Sequence, residues 1–134
     1  MREIVKRYFT DYEKALRNLK EGVEIAQTDI EIDGAIKRFE LCYELVWKLI
    51  KEYLADVGII CKSPRDTFRE AHRNEIIEDE EIWMEMIEDR NALVHTYEME
   101  KAREIFERIK KEYIICLQRV YEKIKERVEE DENR

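Results

Sequence analysis

Residues 36–58, IKRFELCYELVWKLIKEYLADVG, decide the fold. Ile36, Phe39, Tyr43, Val46, Ile50, Tyr53 and Val57 recur at three- and four-residue steps, the spacing of one face of an α-helix. Cys42, Leu45 and Leu49 widen that face, which predicts a helix set deep among others. Glu44 with Lys48 and Lys48 with Glu52 form i,i+4 pairs on its outer side, each worth a few tenths of a kcal/mol. Gly58 then stops the helix by supplying the left-handed residue after the last turn.

The same periodicity extends in both directions. Upstream, Val5, Tyr8, Tyr12, Leu16, Leu19 and Val23 mark a helix from about Ile4 to Ile25, and Asp33 is read as the cap of the next one. Downstream, Ser63-Pro64-Arg65-Asp66 reads as a helix start, and that short third helix ends near Asn74. Asp79-Glu80-Glu81 opens a fourth helix carrying Ile82, Trp83, Met86, Ile87, Leu93 and Val94. The last runs from about Met99 to Val128 on Ala102, Ile105, Ile109, Tyr113, Cys116, Val120 and Ile124, and the acidic tail beyond about 128 is expected to fray. With 3 Gly and 1 Pro in 134 residues, a turn-rich β-fold, a Gly-rich phosphate loop and a long linker are all excluded. The expectation is all-α: one domain over residues 1–134, an antiparallel four-helix up-and-down bundle with one extra short helix.

Charge and ligand chemistry narrow the function classes. The formal charge of −8 disfavours non-specific binding to nucleic acid or an anionic membrane. No stretch approaches the ~20 apolar residues of a membrane span, and the N-terminus has no apolar leader segment. Cys42, Cys61 and Cys116 are odd in number and far apart, so reduced, buried thiols in a cytoplasmic protein are expected. A di-iron bundle needs Glu-x-x-His pairs, but Arg69 precedes His72 by three and Ala92 precedes His95 by three. Zinc would need closely spaced Cys or His ligands, which are absent. No metal and no cofactor are expected.

Arg90 is the anomaly. It falls among Trp83, Met86, Ile87, Val94 and Tyr97 at helical spacing, and a guanidinium there must be paired or must face a cleft or interface. On an unbroken helix Arg90 and Tyr97 share a face while His95 points about 140° away. Arg90 and His95 can therefore converge only if the helix ends near His95 or if two subunits meet there, and Thr96 is a candidate cap for the next helix. Spacing alone equally fits an Arg90 paired with Glu88 or Asp89 beside an interfacial His95.

The run Arg90-Asn91-Ala92-Leu93-Val94-His95-Thr96-Tyr97 resembles the R-x4-H-x-Y signature of HepT-like HEPN proteins. Phe39-Glu40, Tyr43-Glu44, Trp47-Lys48, Ser63-Pro64-Arg65, Glu70-Ala71 and Trp83 resemble the subgroup called nucleotidyltransferase substrate-binding proteins, so the likeness runs from about Ile32 to Ala102. It implies a homodimer about the signature helix and a partner, a small nucleotidyltransferase encoded nearby, in a toxin–antitoxin-like pair. It also implies either a metal-independent endoribonuclease using Arg90 and His95, with Asn91 in support and Tyr97 as the acceptor of a silencing AMP, or a non-catalytic subunit presenting a nucleotide substrate. A structural helical adaptor is a third class. Elsewhere, His72 among Arg65, Arg69 and Arg73 reads as a solvated helix face, and Trp47 with Trp83 as core or interface.

Overall fold

The computed structural model describes residues 1–95 and 98–134. Its helices are α1 (Glu3–Ile25), α2 (Asp29–Asp56), α3 (Pro64–Arg73), α4 (Glu80–His95), α5 (Met99–Arg108) and α6 (Ile114–Glu132). A single wide turn, Ile109–Tyr113, joins α5 to α6. Contacts across the bundle give the directions. Arg2 donates to the Glu52 carbonyl at 2.8 Å, and Arg38 to the Asn18 carbonyl at 2.6 Å, so α1 and α2 are antiparallel. Tyr12 donates to the Leu117 carbonyl at 2.7 Å and Phe9 stacks on Tyr121, so α1 and α6 are antiparallel as well. Arg103 holds Asp29 and Arg127 holds Tyr53, partners 74 residues apart at either end, so α2 runs parallel to α5 and α6. With α4 closing the fourth corner, this is the expected up-and-down bundle, and α3 is its extra short helix.

Local signals account for most boundaries. Ser63 accepts from the Asp66 amide at 3.2 Å, with Pro64 in the first turn, and Asp79 accepts from the Ile82 amide at 3.2 Å. Gly58 adopts φ 89°, the left-handed stop. Two cap assignments need correction. Helix α2 starts at Asp29, not near Asp33, because Thr28, five residues before Asp33, forms a reciprocal capping box with Glu31. Helix α5 has Glu98 at the cap position with no side-chain cap bond, while Thr96 lies outside the described residues. The acidic tail, expected to fray after about 128, is helical here through Glu132.

The core is one continuous cluster running the length of α2, with Phe39, Cys42, Val46, Leu49 and Ile50 fully enclosed. All three cysteines are buried, and burial pushes their thiols up, most strongly at Cys42. Thiols so enclosed are packing groups rather than nucleophiles. No helix among the described residues is long and apolar enough to cross a membrane.

Candidate functional site

The described part of the signature segment, Arg90 to His95, occupies the last two turns of α4. Its burial departs from the apolar stripe read in the sequence: Asp89 and Leu93 face inward, whereas Val94 is 54% exposed and Arg90 is half-buried. The cause is the length of α3. That helix starts at Pro64, and its Arg65 meets Glu88 at 3.1 Å. Beyond that point α3 no longer walls α4, and the side bearing Arg90 and Val94 opens.

Arg90 is held by α2. Its Nη2 donates to Glu44 Oε1 at 3.0 Å, and its guanidinium lies over the Tyr43 ring with Cζ 5.5 Å from the centroid. The partner is thus neither Glu88 nor Asp89, which engage Arg65 and Arg108 instead. Helical geometry explains it: neighbours in sequence diverge by 100°, so the side that Arg90 takes faces α2. Glu44 is a shared acceptor, taking Trp47 Nε1 at 3.1 Å and lying 3.7 Å from Lys48 Nζ. Arg90 Nε is buried and has no acceptor among the described residues. Burial holds the Tyr43 phenol up at about 12, with Arg90 and then Arg65 working the other way, so it stays protonated beneath the guanidinium.

His95 is the last residue of α4 and is exposed, as is Asn91. The described part of α4 runs through His95. No hydrogen bond or ion pair joins Arg90 and His95 among the described residues, and by helical phase they diverge within one chain. Tyr97, the expected AMP acceptor, lies outside the described residues. His72 is half-exposed, 3.7 Å from Glu80, as a solvated face predicts. Trp83 is core against Phe68, and Trp47 is partly buried beside Glu44.

Sequence reasoning singled out Arg90 but missed its setting. Tyr43, Glu44 and Arg65 stood among the quoted family features, yet nothing in their spacing placed them around Arg90. Chemically the cluster offers a cation whose Nη2 is committed to a carboxylate and whose Nε is enclosed, while the guanidinium as a whole stays partly exposed to solvent. That is a place for a phosphate oxygen.

The family model described as "Nucleotidyltransferase substrate binding protein like" matches residues 7–126. A Haemophilus influenzae protein named "Probable ribonuclease HepT" is 36% identical over 88 residues, 60% of this chain and 59% of that protein. This chain therefore matches well under two thirds of that relative's length. A Thermus thermophilus structure aligns over 81% of this chain and 94% of its own, with 34% identity and a TM-score of 0.75. A Haemophilus influenzae structure, described as the fold of a substrate binding domain of a nucleotidyltransferase, aligns over 91% and 97%, with 27% identity and a TM-score of 0.65.

Proposed function

The chain belongs to the nucleotidyltransferase substrate-binding-protein-like family, and from that premise we propose that it is a HepT-type endoribonuclease that works as a homodimer. One observation carries the reading: Arg90 is half-buried, its Nε–H has no acceptor among the described residues, and both Val94, one turn on in α4, and Leu41, one turn before Glu44 in α2, are exposed. A buried donor left unsatisfied in a folded chain is costly, and such groups concentrate at binding and catalytic sites. Two exposed apolar side chains beside it suit a second copy of the chain, which would bring two Arg90 and two His95 together about a two-fold.

The chemistry then balances. One His95 takes the proton of the RNA 2′-hydroxyl as that oxygen attacks phosphorus, and the other gives a proton to the departing 5′-oxygen, leaving a 2′,3′-cyclic phosphate. Arg90 holds the non-bridging oxygens as negative charge builds on them, with Asn91 in support. The partner is a small nucleotidyltransferase in a toxin–antitoxin-like pair. AMP placed on Tyr97 would set a competing phosphate near Arg90 and repel the RNA strand.

The purified dimer should cleave RNA in EDTA and should gain one AMP mass on Tyr97 with the partner and ATP. Absence of cleavage by unmodified protein would favour the second reading, a subunit that presents a nucleotide to the transferase. The family description and the Arg90–Glu44 pairing both suit that reading.

A further inference from the structure

Behind the signature face lies a second ionic cluster that the reaction does not touch. Asp89 is almost fully enclosed, and Arg108 donates to both its oxygens, Nε to Oδ2 at 2.7 Å and Nη2 to Oδ1 at 2.8 Å. The Tyr113 hydroxyl also donates to Asp89, and reaches Glu85 at 3.1 Å. Arg108 and Tyr113 are five residues apart, a spacing that an α-helix turns about 140° apart. The wide turn Ile109–Tyr113 removes that divergence: the Ile114 amide bonds back to the Ile109 carbonyl, five residues away, and the two side chains reach one carboxylate. Asp89 holds the Arg108 guanidinium firmly protonated, and burial together with Asp89 pushes the Tyr113 phenol well above its ordinary value.

The position of this cluster gives it a consequence for Arg90. In the first half of α4, Trp83, Met86 and Ile87 anchor the helix by apolar burial, while in its second half Asp89 and Leu93 are the buried side chains and Ala92 is partly buried against the core. Apolar contacts have no preferred direction and leave small rolls of a helix weakly opposed. The two-pronged bond at Asp89 does not. We propose that Asp89 is a positioning residue: clamped by Arg108 and Tyr113 across the wide turn, it fixes the roll of the last two turns of α4 and so keeps the Arg90 guanidinium seated on Tyr43 and Glu44. As far as RNA cleavage is concerned, the inference rests on the ribonuclease reading. The placement of Arg90 can be read without it.

The Arg90 Nε–H resonance in the nitrogen-15-labelled full chain is the direct readout, since burial slows its exchange and the Tyr43 ring shifts it. Arg108→Ala and Tyr113→Phe should move that resonance towards the position of free arginine and speed its exchange by about 10-fold or more. Val120→Ala, a core truncation in α6, should lower the melting temperature comparably and leave the resonance in place. Arg108→Lys keeps the charge but not the fork, so it should recover part of the melting temperature without restoring Arg90. RNA cleavage should fall with the resonance shift, by up to about 100-fold, the scale of an ångström of misplacement. An Arg90 resonance unmoved in both Arg108→Ala and Tyr113→Phe would reduce Asp89 to a packing role. Tyr113→Phe removes only a hydroxyl, so it keeps the test alive should Arg108→Ala fail to fold. If the unmodified chain cleaves no RNA, the ribonuclease reading falls, and the resonance still decides the positioning.

Discussion

On the inner face of α4, Asp89 meets Arg108 through both oxygens and Tyr113 besides, so every strong group there has a partner. One residue later, on the outer face, Arg90 commits one nitrogen to Glu44, a carboxylate already shared with Trp47 and Lys48, and its buried Nε–H has no acceptor among the described residues. Arg90 sits on α4 and Arg108 at the end of α5, where the wide turn meets α4, yet they are built to opposite ends. Arg108 is held in a planar, two-pronged match that leaves little for a ligand to gain. Arg90 carries the desolvation cost of a half-buried guanidinium without the full set of bonds that would offset it. Saturation marks the structural pair, and the unspent donor is what supports the proposed binding role of Arg90.

Several substitutions would break or sharpen that contrast. The largest effect is expected at the outer face: Arg90→Lys and His95→Ala should each lower RNA cleavage by about 10²–10⁴-fold while moving the melting temperature little. Cleavage rates in EDTA, set beside thermal melts, would check both halves. The inner face should behave in reverse. Asp89→Ala strips the buried carboxylate from Arg108 and Tyr113 and should cost about 3 kcal/mol of stability, read by urea unfolding.

Next in size is the apolar rim. Val94→Glu places a carboxylate beside the proposed two-fold and should weaken the dimer by about 10–100-fold, seen by light scattering against concentration. A monomeric wild type at micromolar concentration would remove the two-fold altogether. The smallest effect is expected at Arg65, whose pair with Glu88 is exposed: Arg65→Ala should change stability by less than about 0.5 kcal/mol in the same unfolding measurement. A larger loss there would mean that the start of α3, and not α4 alone, defends the open side of Arg90.

How far the sequence carried differs between elements. The stripe from Ile36 to Tyr53 is buried as read, because a helix at the centre of a bundle is covered whatever its neighbours do. Val57, the last member of that stripe, is 59% exposed, since α2 has already ended at Asp56. The start of α2 was misplaced at Asp33 because an acidic residue before an apolar run resembles a cap. The true signal is Thr28 with Glu31, whose capping box begins five residues before Asp33. Nothing in the apolar pattern of the last helix announced the wide turn at Ile109–Tyr113, where Ile109 and Tyr113 stay buried as they would on an uninterrupted helix.

The sequence by itself determined the number of long helices, their apolar faces, the stop at Gly58, the start at Ser63-Pro64 and the odd standing of Arg90. These follow from local periodicity and from the few residues that the backbone restricts, information that lies within one or two turns of chain. Tertiary structure alone decided which carboxylate each arginine meets. Glu44 lies 46 residues from Arg90, and Arg108 lies 19 residues from Asp89. Pairings over such distances depend on how helices roll and how far α3 reaches, and a roll of about 100° would have put Arg90 where Asp89 now sits.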